Sequence, residues 1–202
     1  MHLIPTQEEV VAVLRETGAL RDGHFEYPTG LHSNEYLKVP LAMRYSRYQR
    51  MMSVGLSRLL RAHPEIRAIS KDLSMVAPTT GGLALAFGLC DALRSRQVYW
   101  AEREHEQEPL HFRQFLRPEQ GEPVVLVDDI LRTGQRLTEL KELLESHGAK
   151  VVGLAVAVYQ PNPTTRSFAD LPLYYLAKLD ASYYVDGKQC EWCKRGVALE
   201  KV

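Results

Sequence analysis

Four consecutive apolar residues, Val124-Val125-Leu126-Val127, run directly into two acids, Asp128 and Asp129. An unbroken apolar run of this kind predicts a strand buried on both faces of a parallel sheet, ending near Asp128. After a Thr133-Gly134 turn, leucines at 137, 140, 143 and 144 recur with helical spacing. The order is strand, acid pair, tight loop, helix. It occurs a second time, where Met75-Val76-Ala77 leads through Pro78-Thr79-Thr80-Gly81-Gly82 into a helix from Leu83 to about Leu93. Further strands are predicted at Gln97–Ala101, Ala149–Tyr159 and Leu173–Ala177. A helix between two apolar strands implies a right-handed parallel crossover.

The N-terminal part follows other patterns. Thr6-Gln7-Glu8-Glu9 is a capping box that opens a helix, with Val10, Val11 and Leu14 on one face and Gly18 beyond its end. The stretch from Gly23 to Pro40 reads as an aromatic hairpin turning at Pro28-Thr29-Gly30. Such a hairpin either covers a sheet edge, or uses Phe25, Tyr27 and Tyr36 as a hood over a flat ligand. Ser46-Arg47-Tyr48-Gln49 reads as a second capping box, heading a helix that reaches about Ala62 before Pro64. Residues 102 to 109 contain no apolar side chain except Pro109 and predict a mobile, solvated loop.

Composition narrows the function classes. Lys+Arg and Asp+Glu are both 25, so the chain carries no net charge to attract nucleic acid or an anionic membrane, and any anion site is local. No apolar run approaches the roughly 20 residues of a membrane span, and the first five residues do not resemble a signal peptide, so a cytoplasmic protein with a single domain over 1–202 is expected. Of the three cysteines, Cys90 falls in an apolar helical run. Cys190 and Cys193 form a C-x-x-C. One such pair is half of a tetrahedral zinc site, and with no second pair in the chain a packed or surface tail turn is expected, unless a dimer shares the metal.

The candidate chemistry lies at the strand ends. Ligands of open α/β sheets bind at the carboxyl ends of strands, and a loop entering a helix N-terminus offers N–H groups to phosphate. Acids beside such a cradle imply a sugar phosphate, a metal, or both. Thr79, Thr80, Gly81 and Gly82 add small hydroxyls and glycines that let a backbone come close to pyrophosphate, and no Gly-Lys-Ser/Thr follows to make a P-loop.

These residues resemble a known family. Val125-Leu126-Val127-Asp128-Asp129-Ile130 through Thr133-Gly134 is similar to the phosphoribosyl-diphosphate signature of type I phosphoribosyltransferases. Gly23-His24-Phe25 with Thr29-Gly30-Leu31-His32-Ser33, Ala77 to Gly82, Ala101-Glu102-Arg103, Arg113-Gln114-Phe115 and the tail Cys190 to Val197 resemble the orotate branch, in that branch's order. The resemblance implies a doubly wound, mostly parallel sheet with a small hood built from about 1–45 and the C-terminal tail. It also implies a homodimer with a shared active site, magnesium, and transfer of a 5-phosphoribosyl group from phosphoribosyl diphosphate to a ring nitrogen. In that picture Asp128 and Asp129 hold the ribose and, through water, the metal. Arg132, Thr133, Gly134, Gln135 and Arg136 wrap the 5′-phosphate, and Ile130 and Leu131 belong to the same phosphoribosyl-diphosphate-binding stretch. Thr79 to Gly82 cradle pyrophosphate, while Arg103 and His105 ride a loop that closes over the neighbouring subunit's site.

The chain departs from the family at telling places. Arg132 stands where members usually have threonine, and Gln160 where they have arginine. Those two positions, with Phe25 and Tyr36, are the expected contacts to the base, and Arg132 would supply the cation that an orotate carboxylate needs. Pro28, Gly81 and Glu106 replace common lysines, and Gln135 and Arg136 replace small residues of the phosphate loop. A paralogue with another planar acceptor remains open, as does a non-catalytic sensor of phosphoribosyl diphosphate. The short N-terminal helix and zero net charge count against a DNA-binding regulator.

Overall fold

A computed structural model describes residues 4–105, 107–113 and 116–202. Glu106, Gln114 and Phe115 of the expected motifs lie outside the described residues. Two sheets organise the rest. The larger is wholly parallel and has the order β4-β3-β5-β6-β7, from Gln97–Ala101, Ser74–Pro78, Pro123–Leu131, Lys150–Tyr159 and Leu173–Lys178. Alternate residues of β5 enter two different cores. Val125 and Val127 face the larger one, with Leu56, Leu60, Leu85 and Leu89, while Val124 and Leu126 face Leu137, Leu140 and Leu144. That division is why β5 reads as a continuous apolar run: both of its faces are covered, by α3 (Ser46–Ala62) and α5 (Leu83–Leu93) on one side and α6 (Gln135–Ser146) on the other.

The smaller sheet joins the chain ends. Strands β1 (Leu20–Glu26) and β2 (His32–Leu37) form the predicted antiparallel hairpin, with Gly30 at φ +79° supplying the left-handed turn residue. Two short tail strands, β8 (Tyr183–Tyr184) beside β2 and β9 (Glu200–Lys201) beside β1, complete the order β8-β2-β1-β9. The helix α1 (Gln7–Glu16) carries the predicted capping box, Glu9 N–H donating to Thr6 Oγ1 and Thr6 N–H to Glu9 Oε2. Short helices occupy Pro40–Met43 (α2), Pro64–Ala68 (α4) and Glu191–Lys194 (α7).

Three local expectations are corrected. The second capping box does not form: Tyr45 is the N-cap of α3, and Gln49 turns away to donate to Ala84 O at 2.9 Å, tying α3 to α5. Strand β5 continues past Asp128 to Leu131, because Ile130 and Leu131 keep their register with Val158 and Tyr159 of β6. The charged loop is not simply solvated. A Glu102–His111 bridge folds it back, and Arg113 pairs with Glu102 and Glu104.

A buried carboxylate fastens the bottom of the sheet. Glu122, 5% exposed, accepts from Ser74 Oγ (2.5 Å), Gln97 Nε2 (3.1 Å), Tyr99 Oη (3.2 Å) and the Glu119 N–H (2.8 Å). Burial pushes this carboxyl up, but the four donors outweigh it and hold it below the usual carboxylate range. A depressed carboxylate stabilises the fold above its unfolded pKa, and that contribution is lost as pH falls through the folded one. Glu122→Gln is therefore expected to cost about 1–3 kcal/mol in neutral urea unfolding. The deficit should shrink in acid; an equal deficit at both pH values would assign the loss to packing.

Candidate active site

The acid pair sits where two strand–loop–helix units meet. Asp128 and Asp129 end the buried part of β5 and open on a cavity of about 450 Å³, lined also by Thr29, Gly81, Arg103, Ile130 and residues 132–137. Asp128 Oδ1 accepts the Asp129 N–H at 2.9 Å, and the side chain is only 9% exposed. Burial and the adjacent Asp129 charge push the Asp128 carboxyl well above the usual carboxylate range, with Arg136 offsetting part of the effect. Two carboxylates forced together in a concave polar site have no packing use and suit a cation or ribose hydroxyls.

Glycines let the second unit approach. A Cβ on Gly81 would lie 2.8 Å from Asp129 Oδ1, and one on Gly82 would lie 2.8 Å from Val127 O and 3.0 Å from Asp128 Cα. The peptide bond between Thr79 and Thr80 is cis. Gly81 lines the cavity, while Thr79 is drawn toward β4, its N–H donating to Ala101 O at 2.9 Å. Gly82→Ala meets backbone that cannot swing aside, so a loss of about 1–3 kcal/mol is expected. Weaker diphosphate binding measured by calorimetry should accompany the lower melting temperature, since the crowded atoms belong to Val127 and Asp128 of the site itself.

The loop after β5 is a phosphate cradle in form. Gly134, at φ +75°, is the N-cap of α6 and supplies no capping side chain. A Cβ here would lie 2.8 Å from the Phe168 ring, while Thr165 Oγ1 donates to Arg132 O (2.5 Å) and the Arg166 N–H to Thr133 O (2.8 Å). Segment 165–168 thus buttresses the loop from behind. The α6 N-terminus and Arg136 together favour an anion there. Leu131, 2% exposed, packs in the second core rather than on the ligand side.

Arg132 points toward the hairpin. Its Nε donates to Gln160 Oε1 (3.1 Å), its Nη2 approaches Leu37 O (3.4 Å), and its guanidinium lies 4.8 Å from the Tyr27 ring centroid. Gln160, fully buried, in turn donates to Glu35 Oε2 at 3.3 Å. Burial, reinforced by Asp22, pushes the Glu35 carboxyl up; burial likewise pushes Tyr27 up and takes Tyr183 to about 12, Arg132 pulling both tyrosines the other way. The sequence pairing of Arg132 with Gln160 is therefore realised in space. Glu35, Tyr27 and Tyr183 complete that chain; only hairpin register, which a sequence specifies weakly, could have pointed to Glu35.

Other expected residues are placed differently. Phe25 is 3% exposed and stacks on Tyr36 (5.6 Å) beneath the Arg21 guanidinium, so this pair is part of the hairpin's own packing and not a hood over the cavity. The bulge between Asp22 and Phe25 turns the ring onto its own strand. Arg103 lines the cavity of its own chain, where Glu139 holds its Nη2 at 2.5 Å and also takes the Leu110 N–H. His105 is exposed and away from the cavity lining.

A parallel sheet whose central strand delivers two carboxylates beside a helix-N-terminal loop defines an α/β protein that binds a phosphorylated ligand at its strand ends. The phosphoribosyl transferase domain family matches residues 67–170. The orotate phosphoribosyltransferase of Thermotoga petrophila is 32% identical over 189 residues, 94% of this chain and 94% of that one. That of Pelotomaculum thermopropionicum is 31% identical over 198 residues, 97% and 96% of the two chains. The solved orotate phosphoribosyltransferase of Aeropyrum pernix shares the fold with a TM-score of 0.68 and 22% identity, covering 84% of this chain and 93% of its own. The chain belongs to the type I phosphoribosyltransferase family, in its orotate branch. Among the described residues no helix is long and apolar enough to cross a membrane.

Proposed function

We propose that the protein transfers the 5-phosphoribosyl group of phosphoribosyl diphosphate to orotate, giving orotidine 5′-phosphate and pyrophosphate. The observation that carries this reading is the convergence in one region of the acid pair, the α6 phosphate loop and the Arg132 guanidinium. Residues 133–136 bind the 5′-phosphate, and the Gly81 loop receives the diphosphate. Asp128 and Asp129 face the ribose, where positive charge grows as the glycosidic bond breaks. Arg132 draws the orotate carboxylate toward Gln160 and Tyr27, and Arg103 faces the departing pyrophosphate.

Magnesium fits the donor set. Asp128 and Asp129 are oxygen ligands whose mutual repulsion a divalent cation relieves, and they would hold it through its water shell. When bound, magnesium supplies positive charge against the diphosphate. A homodimer belongs to this reading and is supported by exposed apolar surface beside the edge strand β4, where Phe87 of α5, 53% exposed, lies 6.2 Å from Trp100. One observation favours a different acceptor. Glu35, linked to Arg132 through Gln160, brings an acid close to where the orotate carboxylate would dock.

Purified protein incubated with phosphoribosyl diphosphate, magnesium and a panel of bases decides between these, with pyrophosphate release and ligand binding followed together. Turnover with orotate is expected. Turnover with another base alone assigns a different acceptor, and tight binding without turnover would make the protein a sensor.

A further inference from the structure

The hood contains four metal-ligating side chains, which the phosphoribosyl chemistry leaves unused. His24 of β1, His32 of β2, and Cys190 and Cys193 of the tail bring His24 Nε2, His32 Nδ1 and both Sγ atoms within 4.8 Å of one another. Along the sequence, the C-x-x-C is only half of a tetrahedral site. The other half is supplied by two histidines more than 150 residues upstream, brought in because the tail pairs with the same hairpin.

Four of the six distances lie near the edges of a metal tetrahedron, and all six are within 4.8 Å. Metal–sulfur bonds of about 2.3 Å and metal–nitrogen bonds of about 2.0–2.1 Å imply ligand–ligand edges of roughly 3.3–3.8 Å. The observed edges are 3.1 Å between the two ring nitrogens, 3.4 Å and 3.6 Å from His24 Nε2 to Cys190 and Cys193, and 3.4 Å from Cys193 Sγ to His32 Nδ1. His24 Nδ1 lies 2.9 Å from Val197 O. A carbonyl only accepts, so Nδ1 carries the proton and Nε2 presents a lone pair, the outer-shell arrangement of metal-bound histidines. That one lone pair faces three potential donors and can satisfy one of them. A cation at the centre satisfies all four groups together. Both cysteines are free of disulfides, Cys190 is fully buried, His24 and His32 are 3% and 7% exposed, and Cys193 is half-buried, so three of the four ligands are shut off from solvent, as in structural sites.

We propose that His24, His32, Cys190 and Cys193 bind a structural zinc ion that fastens the C-terminal tail to the β1–β2 hairpin. Two thiolates and two imidazoles in a closed tetrahedral set select zinc over magnesium or calcium, which take oxygen ligands. The site is separate from the Asp128–Asp129 pair and does not depend on the reaction proposed above.

The test uses the full-length, tag-free protein purified in reducing buffer without chelator. Elemental analysis is expected to give about one zinc per chain, and cobalt exchanged into the site should show the visible and thiolate charge-transfer bands of tetrahedral coordination. Cys193→Ser and His32→Asn should lose the metal, while Cys90→Ser, outside the cluster, should keep it; circular dichroism checks that each variant is folded. Chelation of the wild type should lower its melting temperature and expose residues 183–202 to proteolysis. Reduced wild-type protein that takes up no zinc on reconstitution would overturn the proposal. So would a Cys190–Cys193 disulfide in the protein as isolated, or metal retained by folded Cys193→Ser and His32→Asn.

Discussion

Asparagine in place of Asp128 is expected to give a protein that melts higher than the wild type at neutral pH and is nearly inactive. The two effects share one cause. Burial and the Asp129 charge push the Asp128 carboxyl well above the usual carboxylate range in the fold, whereas the unfolded chain ionises it freely. A carboxyl whose folded pKa is raised favours the fold fully only below its unfolded pKa, and that advantage drains away as pH rises through the folded value. An amide carries no charge to desolvate, and its oxygen can still accept the Asp129 N–H. Without ligand, the variant should therefore gain about 2–4 °C for each kcal/mol recovered, and the two melting curves should converge below the carboxylate range.

Activity should move the opposite way. Loss of one charge opposed to a developing cation costs on the order of 100- to 1000-fold in kcat. Asp128→Asn combined with Asp129→Asn should also abolish binding of magnesium phosphoribosyl diphosphate, seen by calorimetry. Unchanged binding in the double variant would show that the ligand site lies elsewhere. A lower melting temperature for Asp128→Asn at neutral pH would show that the carboxylate is stabilised by its surroundings.

Arg132→Gln is the second large effect, and it should fall on the acceptor. The guanidinium is already oriented by Gln160 and the Tyr27 ring, so little freedom is lost when it meets a carboxylate. Removing a desolvated, charge-assisted partner costs about 2–5 kcal/mol, roughly 30- to 5000-fold in kcat/KM for orotate. Uracil, which is orotate without the carboxylate, should be nearly unaffected, so the preference for orotate collapses. The double change Arg132→Thr with Gln160→Arg moves the cation to the position where family members usually carry it and should recover part of the loss. If Arg132→Gln slowed orotate and uracil equally, Arg132 would be acting on the phosphate loop and not on the base.

Much of this was legible along the chain because it depends on local chemistry. The apolar run of β5, the left-handed Gly134 before α6, the capping box of α1 and the acid pair are consequences of neighbouring residues, and each is found where the pattern predicts it. The resemblance reached further, since motifs in a shared order carry a whole topology. The errors were also local in origin: Ser46-Arg47-Tyr48-Gln49 has the composition of a capping box, but a long-range bond from Gln49 to Ala84 O outweighs it.

The sequence by itself determined the parallel sheet, the strand-end acids and the phosphate loop, because periodicity and turn chemistry act over a few residues. Only the tertiary structure decided which distant side chains meet. It joined Arg132 and Gln160 to Glu35, turned Phe25 into packing, and placed Arg103 against Glu139. It also completed the Cys190–Cys193 pair with His24 and His32. Apart from the Phe25–Tyr36 stack within the hairpin, those contacts span from 28 to 169 residues of chain, and no pattern of neighbours encodes them. They arise when sheet register and the returning tail bring the chain ends together.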